Sequence, residues 1–293
     1  MQLRILLICF LLLTISFARA SHVMGGEITY SCIGGNTYIF ELVFYRDCNG
    51  AEVNTISENI KVWNHPTLSS IDLPFVNRID ISPTCTQVVG GPAPFDCGNG
   101  SAGGNGIGAI EKITYRSAPI VLTGVPPSQG WIFTYENFSR SGAITNIVSP
   151  SSYGITLAAK IFAIPNFNGI GCSDSSPRFL QEPNFVSCSG FPYAYNMNAV
   201  DPDLDSLVFD FGIPYNNFPG ATFYNPPIAP IPVPFETGFT YSNPTPDATL
   251  NPTNIGASIN PTNGELIFTS FTTGTYVVKI NVKSYRSGAL ISE

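Results

Sequence analysis

The stretch EITYSCIGGNTYIFELVFYR, residues 27–46, decides the fold class of this chain. Residues 27–32 alternate polar and apolar side chains, Gly34-Gly35-Asn36 favours a tight turn, and residues 37–46 return as a second strand. One face of that second strand carries mostly apolar side chains, on Tyr38, Phe40, Leu42, Phe44 and Arg46. Because the opposite face is also largely apolar, the pattern predicts a β-hairpin whose second strand lies inside a sheet.

Similar segments recur along the chain. Glycine and proline are abundant, with 27 and 25 residues, and they separate short runs of Tyr, Phe, Val, Ile and Thr. No segment keeps a helical period for more than two turns, so we predict an all-β protein of tandem antiparallel β-sandwich domains. The predicted strands are 59–63, 110–115, 120–122, 131–137, 155–164, 191–200, 207–211, 265–269 and 274–285.

The spacing of these strands suggests two domains. We assign residues 21–164 to an N-terminal sandwich, residues 165–190 to a linker, and residues 191–293 to a second sandwich. Within the second sandwich, the proline-rich segment 214–246 is expected to run over the surface, because proline cannot donate to a sheet. Asn263-Gly264, between two apolar runs, predicts a hairpin turn.

Residues 1–20 have the features of an export signal. Arg4 precedes an apolar run, and Ala18-Arg19-Ala20 supplies small residues for cleavage, so the mature chain is expected to begin at Ser21 or His22. The apolar run is too short to cross a bilayer, and no longer one follows. Since no anchor follows the last strand either, the sequence is compatible with being a fragment of a longer, exported protein.

The charge of the mature chain argues against a nucleic-acid partner. Removing the signal takes away Arg4 and Arg19, which leaves 11 of the 13 basic residues against 20 acidic ones, a net charge of −9. An acidic chain with scattered basic residues lacks the electrostatic footprint that nucleic acids require. It suits a calcium-rich exterior or simply favours solubility.

Cysteine use predicts disulfides. Of seven cysteines, Cys9 leaves with the signal and six remain, an even number with no C-x-x-C pair. Cys172 and Cys188 flank a short segment without helix, and we expect them to pair. Cys85 and Cys97 are expected to tie the base of a glycine-rich loop. A bridge from Cys32 to Cys48 is disfavoured, because the hairpin would hold them roughly 30 Å apart.

An acidic turn is the strongest candidate for a metal site. Asp201, Asp203 and Asp205 alternate, so an extended segment would place their carboxylates on one side. Such close carboxylates repel one another unless a cation or an arginine lies among them. Calcium is the natural ion outside the cell, although the sequence is not an EF-hand. The alternative is a solvated acidic turn that only initiates a strand.

Catalytic and sugar-binding residues are sparse. The only histidines are His22 and His65, neither in a nucleophile motif, and we expect both on the surface. We therefore predict that the chain is not an enzyme. Trp63 and Trp131, with neighbouring tyrosines, could form a platform for carbohydrate, but aromatic side chains on alternating strands are more often core. The tyrosines in question are Tyr30, Tyr38, Tyr45, Tyr115 and Tyr135.

Four stretches resemble the large surface proteins of gliding bacteria. The opening 21–30 and the segment 42–48 resemble the mature N-terminus of that family, and 172–179 and 198–207 also fit its pattern. The resemblance runs from Ser21 to Glu293. Two differences stand out: Leu204 lies where the cadherin-like pattern prefers glycine, and the C-terminal sorting domain typical of the family is missing from this sequence.

The resemblance implies immunoglobulin-like or cadherin-like modules, export by the type IX route and a role in adhesion or gliding motility. We therefore expect a non-catalytic module on the outer cell surface, with an extracellular polysaccharide or protein as its ligand. The alternative from a different class is a secreted carbohydrate-binding or glycan-processing module.

Overall fold

A computed structural model describes residues 23–50, 52–83, 95–98, 108–138, 140–164, 171–184, 186–218 and 229–293. The predicted export signal, the cleavage site and His22 lie outside these ranges, as does Cys85. Within them every strand pairs antiparallel, and the only helical element is one 3-10 turn at Pro150–Ser152. The predicted all-β antiparallel fold class is confirmed.

The strands follow each other along the chain in this order. They are β1 Val23–Gly34, β2 Thr37–Asp47, β3 Ser57–Trp63, β4 Ser70–Asp80, β5 Ile110–Arg116, β6 Ile120–Val121, β7 Trp131–Asn137, β8 Ile155–Ile161, β9 Arg178–Phe179, β10 Pro192–Tyr195, β11 Ala199–Val200, β12 Ser206–Phe211, β13 Tyr215–Asn217, β14 Ile231–Pro232, β15 Ile255–Ile259, β16 Leu266–Thr269, β17 Ile280–Arg286 and β18 Ala289–Ser292.

The first eight strands form two layers that share one strand. One layer has the order β1-β2-β5-β4, with β6 beside β2, and the other has the order β4-β3-β7-β8. Strand β4 serves both layers because its first half pairs with β3 and its second half with β5. The register shifts between Phe75 and Asn77, directly after Pro74. A proline and a bulge together bend the strand from one layer into the other.

Aromatic side chains fill the space between the two layers. Phe40 of β2 and Phe133 of β7 face each other with ring centroids 4.6 Å apart. Phe44 stacks on Tyr135 at 5.8 Å. All four rings are essentially inaccessible to solvent. The row of apolar side chains predicted on one face of β2 therefore provides half of a sandwich core.

One end of this core holds buried charges. Arg46, on the same face of β2 as the aromatic row, lies with its Nε 2.6 Å from Glu111 Oε1, and both side chains are about 1% exposed. Arg78 Nε approaches the other Glu111 oxygen at 3.1 Å. Burial raises the pKa of Glu111, and the two guanidinium groups oppose that rise. The two arginines thus compensate a carboxylate that could not be buried alone.

The later strands continue the second layer and add small sheets. Strand β18 pairs with β8 through Ser292 and Ile161, and the layer then continues through β17 to β12. The remaining strands form the sheets β10-β16-β15, β9-β11 and β13-β14. Within the described ranges, the late strands therefore extend a sheet of the first sandwich. The division of the chain into domains at residues 165–190 stays a prediction.

Candidate functional site

The acidic turn after β11 lies beside a further acidic residue, Asp174, from the segment before β9. Carboxylate oxygens of Asp174, Asp203 and Asp205 lie within 4.8 Å of one another. Of the three aspartates predicted to act together, the structure brings together Asp203 and Asp205. Asp174 takes the position that the alternating pattern assigned to Asp201.

Asp201 shapes the turn instead. Its Oδ1 accepts hydrogen bonds from the backbone N–H of Asp203 at 2.8 Å and of Asp205 at 3.3 Å, and its Oδ2 accepts one from the Ser284 hydroxyl at 2.9 Å. An aspartate that caps its own turn in this way is a common device. Leu204, at the tip, has φ 63 and is 92% exposed. A left-handed conformation explains why glycine would suit this position.

Arg286, at the end of β17, lies among the three carboxylates. Its Nε and Nη2 donate to the two oxygens of Asp205 at 2.8 and 2.6 Å, which is a bidentate pair. Nη2 also donates to Asp174 at 3.3 Å and lies 3.9 Å from Asp203. Nη1 donates to the backbone oxygen of Ser173 at 2.9 Å. The arginine supplies the counter-charge that such a cluster needs.

Burial makes Asp174 the most perturbed member of the cluster. Desolvation raises the pKa of Asp174 to about 7, and the neighbouring Asp201 and Asp203 add to the rise. The Tyr30 hydroxyl, which donates to Asp174 at 3.0 Å, and Arg286 both lower that pKa. The Asp205 hydrogen bonds in turn raise the pKa of Arg286. The cluster therefore joins β1, the 172–176 segment and β17 through charge and hydrogen bonds.

The 172–176 segment runs along the free edge of β1. The backbone N–H of Ser176 donates to Tyr30 O, and the Ser176 hydroxyl accepts from Tyr30 N–H, both at 2.9 Å. Ser175 Oγ accepts from the Cys32 N–H at 3.2 Å. This segment satisfies backbone groups that an edge strand would leave open.

That alignment determines a disulfide that differs from the predicted one. Cys172 pairs with Cys32, with a Cα–Cα distance of 5.7 Å, whereas Cys188 is free and exposed. The predicted Cys172–Cys188 bridge is therefore wrong. It assumed that the nearest cysteine in sequence would be the partner, but the edge of β1 brings a cysteine 140 residues away into reach.

The second predicted bridge is also wrong. Cys97 pairs with Cys48 at a Cα–Cα distance of 5.4 Å, and Cys85 lies outside the described residues. The backbone N–H of Cys97 donates to Asp80 at 2.8 Å, which places Cys97 beside the ends of β4 and β2. The expectation that Cys32 and Cys48 do not pair with each other is confirmed.

The aromatic residues considered for sugar binding are core residues. Trp63 and Trp131 are 0% and 3% exposed, and the five tyrosines named with them are also buried. The Trp63 indole N–H donates to Thr134 Oγ1 at 2.9 Å, and its ring packs against Phe218 at 5.5 Å. A carbohydrate platform made of these two tryptophans is therefore excluded, and the expected role in the core is confirmed.

His65 is buried, so its expected position on the surface is wrong. Only 3% of the residue is exposed, and its Nδ1 accepts from the backbone N–H of Leu68 at 3.1 Å and of Thr67 at 3.3 Å. Burial lowers the pKa of His65. In the turn between β3 and β4, the imidazole nitrogen is thus the hydrogen-bond acceptor that a backbone carbonyl would otherwise provide.

A second carboxylate group, which the sequence did not single out, lies on the outer face of β1 and β2. Desolvation raises the pKa of Glu27 to about 7, Lys112 opposes the rise, and the Phe179 backbone N–H donates to the Glu27 carboxylate. Lys112 Nζ pairs with Glu182 at 2.7 Å, and the Tyr45 hydroxyl lies 3.5 Å from the other Glu182 oxygen. These contacts attach the 178–182 segment to the first layer.

Comparison of the chain with protein-family models, with curated proteins and with solved structures finds no match. In the described ranges, no helix is long and apolar enough to span a membrane.

Proposed function

We propose that this chain is a non-catalytic extracellular module of a bacterial surface adhesin or gliding-motility-associated protein. Its ligand would be an extracellular polysaccharide or protein. In this role the sandwich is a rigid body that projects a binding surface away from the cell, and neither bond making nor bond breaking is required of it.

The Cys32–Cys172 disulfide is the observation that carries the proposal. It joins the first sandwich to the segment that holds the acidic cluster, across 140 residues of sequence. Disulfides persist in oxidising compartments and are rare in a reducing cytosol. The second bridge, Cys48–Cys97, adds to the same argument. The acidic composition and the resemblance to surface proteins of gliding bacteria supply the rest.

Export can be tested in cells of the source bacterium. The chain with residues 1–20 should reach the outer surface, where external protease cuts it, and its N-terminus should map to Ser21 or His22. Thiol alkylation before reduction should leave Cys32 and Cys172 unlabelled. A matched form that lacks residues 2–20 should stay inside the cell. An intact Met1 terminus together with labelled thiols would contradict the proposal.

The adhesive role needs a separate measurement. Cells that lack the protein should attach to surfaces or glide less well than cells with the gene restored. Purified protein should bind whole cells, extracellular polysaccharide or surface proteins. Unchanged attachment and gliding, with no binding to any of these, would remove adhesion and leave only the export proposal. Binding to soluble sugars that persists in a Trp63→Phe variant would agree with the burial of that side chain.

Calcium at the acidic cluster is a second candidate, which we propose on one observation. Oxygens of Asp174, Asp203 and Asp205 lie within 4.8 Å of one another, which suits a single ion. Calcium binds oxygens at about 2.3–2.6 Å, so two oxygens on opposite sides of one calcium ion lie about twice that distance apart. Arg286 donates to carboxylate oxygens of Asp174 and Asp205, two of these three residues. An ion would therefore compete with the guanidinium for the carboxylates.

Thermal melting distinguishes calcium from the Arg286 guanidinium as the counter-charge of the cluster. Millimolar calcium should raise the melting temperature of an Arg286→Gln variant more than that of the wild type, since the variant leaves the carboxylates without a counter-charge. Arg116→Gln is the matched control, because Arg116 pairs with Glu41 at a separate, exposed place on β2 and β5. A shift below about 1 °C in all three proteins would eliminate calcium.

A further inference from the structure

Among the described residues, three buried polar atoms without a hydrogen-bond partner belong to neighbouring residues at one end of the sandwich. They are Asn64 Oδ1, His65 Nε2 and Trp131 Nε1. Asn64 and His65 form the turn that follows β3, and Trp131 begins β7, which pairs with β3 through Trp63 and Ile132. The imidazole and indole rings are in contact, with centroids 4.7 Å apart.

Two neighbouring contacts determine which of these atoms donates. Because His65 Nδ1 accepts two backbone N–H groups, the neutral imidazole carries its proton on Nε2. The Asn64 amide nitrogen donates to Gly130 O at 3.1 Å, so the amide oxygen is the atom without a partner. The indole nitrogen of Trp131 can only donate. The group therefore consists of two donors and one acceptor.

This set of atoms selects the chemistry of its ligand. An anion would be repelled by the amide oxygen, and a cation by the two N–H groups. A hydroxyl oxygen fits, because it accepts two hydrogen bonds and donates one. The three residues are at most 7% exposed, so the ligand is enclosed by protein, and water is the smallest molecule with such an oxygen. Buried waters typically make about three hydrogen bonds to polar groups that would otherwise be unsatisfied.

We propose that Asn64, His65 and Trp131 form a binding site for one internal water molecule that bridges the β3–β4 turn to the start of β7. The water accepts from His65 Nε2–H and Trp131 Nε1–H and donates to Asn64 Oδ1. It is a permanent part of the fold, at the place where the first sandwich closes around its aromatic core.

The two tryptophans of the chain provide an internal control. Both indoles are buried, but the Trp63 indole N–H donates to Thr134 Oγ1, whereas the Trp131 indole N–H has no acceptor among the described residues. In the nitrogen-15-labelled mature protein, rotating-frame NMR should show direct transfer from water to the Trp131 indole proton and none to that of Trp63. A Trp131→Phe variant assigns the two signals. No transfer at Trp131, or equal transfer at both indoles, would overturn the site.

Two further measurements test the other members of the site. Nitrogen chemical shifts should show His65 protonated on Nε2, and protonation on Nδ1 would overturn the assignment of donors. An Asn64→Gly variant keeps the left-handed backbone at φ 66 while removing the acceptor. The water transfer to Trp131 should then weaken while the Trp63 signal stays unchanged. An undiminished transfer would exclude Asn64 from the site.

Discussion

The regions before residue 164 and after residue 171 bury different kinds of atoms. Every buried side chain of the main apolar cluster lies between Val23 and Ile161. Among the described residues of the later region, four apolar residues are buried, and buried polar residues outnumber them. The four are Phe209, Phe218, Val233 and Ile291, and the polar group includes Ser173, Asp174, Ser175, Ser176, Asp201, Asn254 and Ser284.

This difference affects how each region is stabilised. Apolar burial is non-directional, so the first region gains stability from many interchangeable contacts. A buried polar atom stabilises only when its partner is in place. Several partners of the later region belong to the first, such as Tyr30 for Asp174 and Asn146 for the Val277 backbone. We infer that the later region depends on the first region for its structure, and the predictions below test that dependence.

The largest effect is expected from the aromatic core. Phe133→Ala removes a fully buried ring that packs against Phe40. We expect it to lower the free energy of unfolding by about 3–5 kcal/mol. Phe268 is the matched residue of the later region, half-buried and stacked on Tyr193 at 4.7 Å. Phe268→Ala should cost roughly 1–2 kcal/mol, because the ring has less surface to lose. Urea unfolding measures both, and equal losses would contradict the comparison.

The strands of the first region could be predicted from sequence better than the connections between them. Alternation located β2, β5, β7 and β8 within a few residues, because a half-buried or buried strand has a visible period. Strand β4 was missed. Pro74 interrupts its pattern, and the bulge after it shifts the register at the position where the strand changes layers. The proline and the bulge that let β4 join the two layers therefore also interrupt the alternation by which the strand could be predicted.

The candidate site was only half predictable. The spacing of Asp203 and Asp205 indicated a carboxylate cluster that needs a counter-charge, and both residues are in it. The third carboxylate belongs to Asp174, which is 29 residues before Asp203 in the sequence. The arginine, Arg286, is 81 residues after Asp205. Local alternation contains no information about such partners. The disulfide predictions failed for the same reason, because Cys172 lies beside Cys32 through the pairing of the 172–176 segment with the edge of β1.

The next largest effect should come from the Cys32–Cys172 disulfide, which joins the two regions. Replacing Cys32 and Cys172 by serine should lower the free energy of unfolding by about 2–4 kcal/mol, because the unfolded chain gains freedom. Limited proteolysis should then cut between residues 171 and 205 before it cuts the first sandwich. The matched change, Cys48→Ser with Cys97→Ser, removes a bridge within the first region. It should leave the 171–205 segment protected, and the same cutting pattern in both variants would refute the dependence.

The smallest effect tests whether attaching the later region costs stability. Glu27 lies where the 178–182 segment contacts the first layer, and its pKa is raised from 4.5 to about 7. Between those pH values the folded protein keeps a proton that the unfolded chain has released. Stability therefore falls as the pH rises through this window and stays lower above it.

Glu27→Gln should abolish that penalty, because the amide oxygen can still accept from Phe179 N–H and carries no charge to desolvate. At pH 8 we expect a gain of about 1–2 kcal/mol in the free energy of unfolding, and at pH 4.5 almost none. Glu41→Gln, which changes a partly exposed carboxylate on the same face, should alter stability by less than about 0.5 kcal/mol at either pH. A Glu27→Gln variant that loses stability equally at both pH values would show that the carboxylate is needed as a hydrogen-bond acceptor. The contact of Glu27 with the 178–182 segment would then stabilise the attached region at every pH, contrary to the cost inferred from its burial.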